Sequence, residues 1–493
     1  MSTSIEQLQA LINATNGGVN ITELNETLNA IKGGLDAFML CTMGAIVWTM
    51  QAGFACLEAG ACRSKHVTSI LFKNVLDNFV AAIAYWAVGY ALAYGEPSNA
   101  YFGYSYFFGF GLPLDKLPFW VFQFVFCAVA CTIISGAIAE RMQTVAYLII
   151  TAFIGGFVYP VFSHWVWAEK GWLVTNGYHD FAGSSVVHIF GATCSLTCAV
   201  ILGPRTGRFS KEGEKTDYKG HSMPLTVMGG FILFFAFLAF NGGSVLHITQ
   251  PGDGETMARA MVNTIVMGSA GSISALFFGR TFSCEAAING ALAGMVAACA
   301  GCDQLDMWAS VVIGIFAAGN FILLSWIIPK FKVDDPTSAI AVHFAGGMVG
   351  ELAVPIFSFK YGLVYFGNSQ GALGNLGWQV IGFLTVVVWC AVLVGALCLL
   401  LRLAGILRVP VEAELKGMDV YIHHEPAYRH HEPLPARALR KISNAIAPRS
   451  RDNSETVPHQ RDVAWKNSPK TNGTSDGMEL NKTTIPVFPT IRE

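Results

Sequence analysis

Long stretches of this chain contain no Asp, Glu, Lys or Arg, among them Ala37–Leu57, Leu117–Ala139, Met142–Ala168, Met307–Pro329 and Tyr361–Leu401. Each reaches the about 20 apolar residues that a helix needs to cross a bilayer. In hydrocarbon a backbone must satisfy its own hydrogen bonds, so such runs read as helices. Extending the reading to the whole chain gives eleven candidate spans, at roughly 34–58, 68–94, 118–139, 144–167, 180–203, 223–245, 258–279, 284–301, 306–329, 336–359 and 375–401. The eighth is the shortest. The expected fold is an all-α membrane protein, with membrane lipid as its surroundings. Only 13% of the residues are charged and the net charge is −2, against about 25% charged in soluble domains. That balance argues against a soluble enzyme, a disordered chain and a nucleic-acid binder.

Lys and Arg collect in cytoplasmic loops. With the N-terminus outside, the inner loops carry eleven of them, among them Arg63, Lys65, Arg141, Arg205 and Arg208. The outer loops carry four: Lys116, Lys170, Arg259 and Lys360. The bias gives an N-out, C-in chain with an odd number of spans. Residues 1–33 then form an extracellular segment, polar and without the apolar core of a cleavable signal peptide. It holds three glycosylation sequons, at Asn13, Asn20 and Asn25. Residues 34–403 form the eleven-helix domain. Residues 404–433 form a charged, His-containing cytoplasmic segment read as regulatory. Residues 434–493, rich in Pro, Ser, Asn, Lys and Arg, are expected to be disordered.

Two segments repeat a pattern. Asp180-Phe-Ala-Gly-Ser-Ser-Val-Val-His188 opens the fifth span, and Asp335-Pro-Thr-Ser-Ala-Ile-Ala-Val-His343 opens the tenth. One enters from outside and the other from inside, as in two inverted five-helix repeats followed by a final helix. Eight residues of helix rise about 12 Å, which brings His188 and His343 toward the midplane of a core about 30 Å thick. A single such histidine reads as a satisfied buried side chain. Two related by inversion read as lining a path, because ionisable groups are costly inside a membrane. Asp335 reads as a helix cap, with Pro336 at the first helical position. Asp180 reads as a cap that also places a carboxylate near the outer mouth. One acceptor would suffice for the cap, so Asp180→Asn is expected to keep appreciable transport. Lys73 and Asp77, four apart, read as a local ion pair. Glu351 either leans into an outer vestibule or pairs structurally. The twelve cysteines lie almost all in apolar stretches and read as small buried hydrophobes. Neither a metal site nor a cofactor is expected.

These residues resemble a known signature. Asp180 to His188 followed by Gly203-Pro-Arg-Thr-Gly-Arg208 is similar to the motif of the ammonium transporter (Amt/Mep/Rh) family. So are Gly136-Ala-Ile-Ala-Glu-Arg141, Phe240-Asn-Gly-Gly-Ser244, Val333-Asp-Asp-Pro336 with His343, and Arg408-Val-Pro. The resemblance covers roughly residues 33–430. It implies a homotrimer of eleven-helix, N-out subunits, each with its own pore for ammonium or ammonia. It also implies an outer recruitment site at Trp167, facing Phe126, with Ser244 as acceptor and Asp180 nearby. Phe126 and Phe240 correspond to a stacked gate, and His188 and His343 to the pore histidines. The tail segment is implied to touch a neighbouring subunit. The chain departs from bacterial members at Phe237, where they have Trp in what is read as a vestibule wall. The outer loop between Trp167 and Asp180 is one residue longer. Tyr421 stands where plant relatives have a regulatory Thr.

The chemistry follows from the residues. Moving an unpaired ammonium into an apolar medium costs tens of kcal/mol in the idealised limit. An aromatic face returns about 0.5–2 kcal/mol, and a Ser oxygen accepts one N–H. Beyond the gate neutral ammonia crosses cheaply, and imidazoles, which titrate near neutral pH, can relay the displaced proton. The resulting reading is a plasma-membrane ammonium transporter, electrogenic in net terms and not an enzyme. The alternatives are a Rh-like channel for ammonia or carbon dioxide, and an ammonium sensor that signals through its tail.

Overall fold

The computed structural model describes residues 21–209, 216–280, 282–365 and 369–428. Among them no strand forms, and ten helices are long and apolar enough to cross a membrane. They are α1 (Thr22–Ala61), α2 (Ser64–Tyr94), α3 (Leu114–Ile138), α4 (Thr144–Trp167), α5 (Ser184–Leu202), α6 (Met223–Gly243), α7 (Asp253–Gly279), α9 (Met307–Phe331), α10 (Ala339–Phe357) and α11 (Gly371–Leu403). The shorter apolar helix α8 (Cys284–Ala298) lies between α7 and α9. It coincides with the shortest of the expected spans. Two short helices follow, α12 (Val411–Lys416) and α13 (Met418–Tyr421). α1 begins inside the polar 1–33 segment, and the exposed Asn25 lies on it. Asn13, Asn20 and the 434–493 tail lie outside the described residues.

α3 and α5 are the most enclosed helices, whereas α9 and α11 turn much of their apolar surface outward. That pattern suits a bundle in lipid, where outward faces are apolar and close packing rather than water exclusion holds the helices together. The crossing of α7 and α8 depends on absent side chains: a Cβ on Gly271 would stand 2.3 Å from the Gly290 carbonyl oxygen. Nine of the twelve cysteines are buried. Cys198 and Cys398, with sulfurs 3.5 Å apart, pack α5 against α11.

Lys73 and Asp77 do not form the local pair expected from their spacing. The Lys73 ammonium donates to the Met142 carbonyl at 2.6 Å, and Asp77 accepts from the Tyr147 hydroxyl. Contacts with α4 and the loop before it override the i,i+4 proximity. Glu351 is fully buried, and one of its oxygens accepts from Gln379 of α11 at 3.2 Å.

At one end of the bundle, loops far apart in sequence meet through buried charges. Glu140 accepts from Arg63 at 2.5 Å and lies 3.1 Å from Arg205. Asp334 accepts from Arg205 at 2.7 Å and Arg208 at 3.1 Å. Glu140 holds φ at 70°, a backbone state that costs a non-glycine residue about 1–3 kcal/mol unless its surroundings impose it. The tail segment joins the same plate. Glu414 accepts from Thr206 N–H and from Arg408 at 2.9 Å, Lys65 donates to the Leu415 carbonyl, and Asp419 accepts from the N–H groups of Thr68 and Ser69 near the start of α2. These contacts lie within one chain.

Burial alone would raise the Glu140 carboxyl, but Arg205, His66 and Arg63 outweigh it and hold it at about 2. A depressed carboxyl contributes stability that is complete above its unfolded value and lost as pH falls toward the folded one. The stability gap between wild type and Glu140→Gln should therefore be widest near neutral pH and close between about pH 4.5 and about pH 2. Melting temperatures in detergent across that range check it; a gap that stays constant would show that the ion pairs contribute nothing through charge.

Candidate functional site: an aromatic column ending on paired histidines

The site begins with a loop. Between Trp167 and α5 the chain turns so that Asp180 takes five hydrogen bonds. Its Oδ1 accepts from the N–H groups of Gly183 and Ser184, each at 2.8 Å. Its Oδ2 accepts from Ser185 N–H at 2.8 Å, Ser185 Oγ at 2.8 Å and Val186 N–H at 3.0 Å. Gly183 makes the turn possible, with φ at 99° and the Val187 side chain 2.8 Å from where a Cβ would lie. α5 then opens as a π-turn, Ser184–Ile189, in which His188 N–H bonds back to the Gly183 carbonyl at 3.1 Å. π-turns alter the rotation of the residues that follow them, and this one carries His188.

Asp335 caps α10 in the same manner, accepting from the N–H groups of Ala339 at 3.0 Å and Ile340 at 2.8 Å. α10 starts at Ala339 rather than at Pro336. Pro336 and Thr337 instead belong to the turn before the helix, because the carboxylate reaches across it. The two caps deliver His188 and His343 to each other, Nδ1 to Nδ1 at 3.1 Å, with ring planes 12° apart. Both are buried.

A ladder of rings leads from this pair toward Trp167. His188 lies 5.5 Å from Phe240, Phe240 stacks on Phe126 at 4.0 Å, and Phe126 meets Trp167 edge-on at 5.8 Å. Trp167 is half-buried and its indole N–H donates to the Asp180 carbonyl at 2.7 Å. Its polar atom is thus occupied and its ring is what remains to meet a solute. Ser244, half-buried just beyond the Trp167-side end of α6, donates its proton to the Phe240 carbonyl at 2.8 Å. Its oxygen keeps lone pairs to accept with. On the far side His343 lies 6.2 Å from Phe54.

Three residues of this ladder change the sequence reading. Phe122 packs 4.9 Å from Phe126 and is buried; one turn earlier on the same face of α3, it was open to discovery from the i,i+4 spacing. Phe54 had no local signal, since only the tertiary fold carries it to His343. Phe237, read as a vestibule wall, stacks on His188 at 5.6 Å, beside the histidine pair. Asp180 differs too. Its oxygens are consumed by the turn and it is buried, so it orders the mouth without presenting a carboxylate to it.

A bundle of membrane-length helices that encloses a column of rings ending on two hydrogen-bonded imidazoles defines a multi-span membrane protein with a buried polar site. Residues 37–428 match the model of the Ammonium Transporter Family. A putative ammonium transporter 1 from Caenorhabditis elegans is 41% identical over 84% of this chain and 83% of its own. Ammonium transporter 1 member 3 of Solanum lycopersicum is 34% identical over 81% of this chain and 94% of its own. Among solved structures, one described as a sensor Amt protein aligns with a TM-score of 0.75 at 32% identity, covering 80% of this chain and 99% of that one. Candida albicans Mep2 aligns with a TM-score of 0.72 at 24% identity, covering 83% and 95%, a likeness of fold. The chain belongs to the ammonium transporter family, and it transports ammonium.

The five acceptor contacts of Asp180 reverse the expectation for Asp180→Asn. An Asn amide would turn its NH2 toward the N–H groups of Ser185 and Val186, leaving both stranded at about 1–3 kcal/mol each. Asp180→Asn and Asp180→Ala should both lower the melting temperature and the surface abundance. An Asn variant with wild-type surface level and uptake would overturn the role given to the second oxygen.

Proposed function

We propose that this chain recruits ammonium at Trp167, Phe126 and Ser244, passes it through a gate at Phe126 and Phe240, and relays ammonia and its proton past His188 and His343. Ammonium sheds water against the Trp167 ring by cation–π attraction, worth about 0.5–2 kcal/mol when partly desolvated, while Ser244 accepts one N–H. The stacked phenylalanines exclude hydrated ions. Past them the solute crosses as ammonia, hydrogen-bonded by imidazole. The observation that carries this reading is the uninterrupted ladder Trp167, Phe126, Phe240, His188, His343.

The protein is a plasma-membrane homotrimer of eleven-span subunits built from two inverted five-helix repeats and a final helix. Its N-terminus is outside, glycosylated at Asn13, Asn20 or Asn25, and its C-terminus is inside. The loops richest in Lys and Arg share one end of the bundle with the tail segment, in keeping with a cytoplasmic face. A second reading, an ammonium sensor, draws on the contacts of Glu414 with the loop after α5 and of Asp419 with the start of α2. A downstream signal that persists in a transport-dead pore variant would favour it.

Ammonium-evoked current measured together with uptake in oocytes, across pH, tests the proposal. Charge moving with each ammonium taken up is expected; uptake without current would select the neutral-gas alternative. Trp167→Leu should raise the half-saturating concentration, by about twofold to thirtyfold for a cation–π contact of about 0.5–2 kcal/mol. His188→Ala should abolish transport or change what crosses, and wild-type uptake and current in that variant would make the histidines structural. Deletion from Pro410 onward removes the Asp419 and Glu414 contacts and should reduce transport per surface copy; deletion of 434–493 alone should matter far less.

A further inference from the structure

Beside Trp167, away from the phenylalanine gate, lies a cavity of about 510 Å³ whose wall includes Trp167, Tyr94, Phe119 and Tyr90. The loop that closes it is fixed by His164, whose ring nitrogens stand 2.6 Å from the Ala93 carbonyl and 2.8 Å from the Asn99 carbonyl. Five charged residues line it. Glu96, Asp115 and Glu169 are acidic, and Lys116 and Lys170 are basic, so the cavity carries a net charge of 2 − 3 = −1. Tyr90 is 1% exposed and its hydroxyl has no hydrogen-bond partner; its charged neighbours are Glu96 and Asp115.

One cation already occupies this wall. The Lys116 ammonium is 2.7 Å from the Glu96 carboxylate and 5.6 Å from the centre of the Tyr106 ring. A tethered ammonium thus makes the two contacts that a free one would seek, a carboxylate and an aromatic face. The buried Tyr90 oxygen supplies an acceptor that Lys116 leaves unused.

We propose that this cavity is a second cation site, an antechamber in which free ammonium competes with the Lys116 side chain for Glu96 before moving to Trp167. The inference rests on the reading of the Trp167 end as the entrance. The tether sets the occupancy. At low ammonium Lys116 covers the carboxylate and keeps other cations from lodging there; as ammonium rises it displaces the lysine, and the antechamber loads the ring below. The site discriminates by donor chemistry: a carboxylate, a phenol oxygen and aromatic faces suit a small N–H cation better than an alkali ion that needs several oxygens.

The competition makes a prediction that an ordinary ion pair does not. Lys116→Met frees Glu96 and should lower the half-saturating ammonium concentration, whereas Glu96→Gln should raise it, each by about threefold, the scale of a half-exposed pair. The double variant should follow Glu96→Gln, and Tyr90→Phe should raise the value about twofold by removing one acceptor. Maximal current per surface copy should stay at wild type in all four. Currents are measured in oocytes at ordinary and raised ionic strength, with Trp167→Leu as reference. Shifts of the two single variants in the same direction would show a structural pair and overturn the proposal. An opposed shift that collapses at raised ionic strength would show a surface field instead of a site, and would also overturn it. If Trp167→Leu leaves the half-saturation unchanged, the entrance itself is misassigned and the antechamber falls with it. If Trp167→Leu raises it while Lys116→Met and Glu96→Gln match wild type, the antechamber alone falls.

Discussion

The geometry of the ring ladder depends on one carboxylate. Asp180 sits where a membrane helix starts below the surface, so the N–H groups of its first turn have neither water nor a preceding turn to bond. The two oxygens of Asp180 accept five hydrogen bonds, four from N–H groups of that turn and one from the Ser185 hydroxyl. With those donors satisfied, α5 can open as a π-turn and present His188 inward. The backbone carbonyl of the same residue holds the Trp167 indole. One residue thereby fixes both ends of the ring ladder relative to each other, which explains why the mouth and the pore are built from neighbouring sequence.

What could be read in the sequence follows from the range of each interaction. Hydrocarbon imposes its demand on every residue of a span, so the long uncharged runs display the helices directly, and only α8 is short enough to be ambiguous. The Asp-x7-His repeat was visible because the cap and the histidine belong to one turn-and-helix unit. Contacts between distant segments left no such mark. Lys73 and Asp77 look like partners along one helix, yet each is taken by the region around α4. Phe237 looked like part of a vestibule until α6 and α5 were seen to cross at His188. The second oxygen of Asp180 escaped notice because an ordinary helix cap needs only one.

The charged end of the bundle shows the same division. Glu140, Arg205 and Asp334 come from three loops, and nothing local announces that they meet. Together they replace the water that each would otherwise require. The tail segment is bonded into this plate through Glu414 and Asp419, which tie it to the loop after α5 and to the start of α2. These bonds connect the tail segment to the loop that follows the helix carrying His188.

The contact between the two Nδ1 atoms gives the histidine pair a direction. Two nitrogens 3.1 Å apart can share only one hydrogen. When His188 donates, its Nε2 is a lone pair and the Nε2 of His343 carries N–H; when His343 donates, the arrangement is mirrored. The neutral pair is therefore a two-state arrow, with an acceptor at one tip and a donor at the other. A proton passed along it reverses the arrow, and a second proton cannot follow the same way until the arrow has turned back. On the relay proposed above, each proton passed would leave the pair reversed, and a step that carries no cargo would have to turn it back.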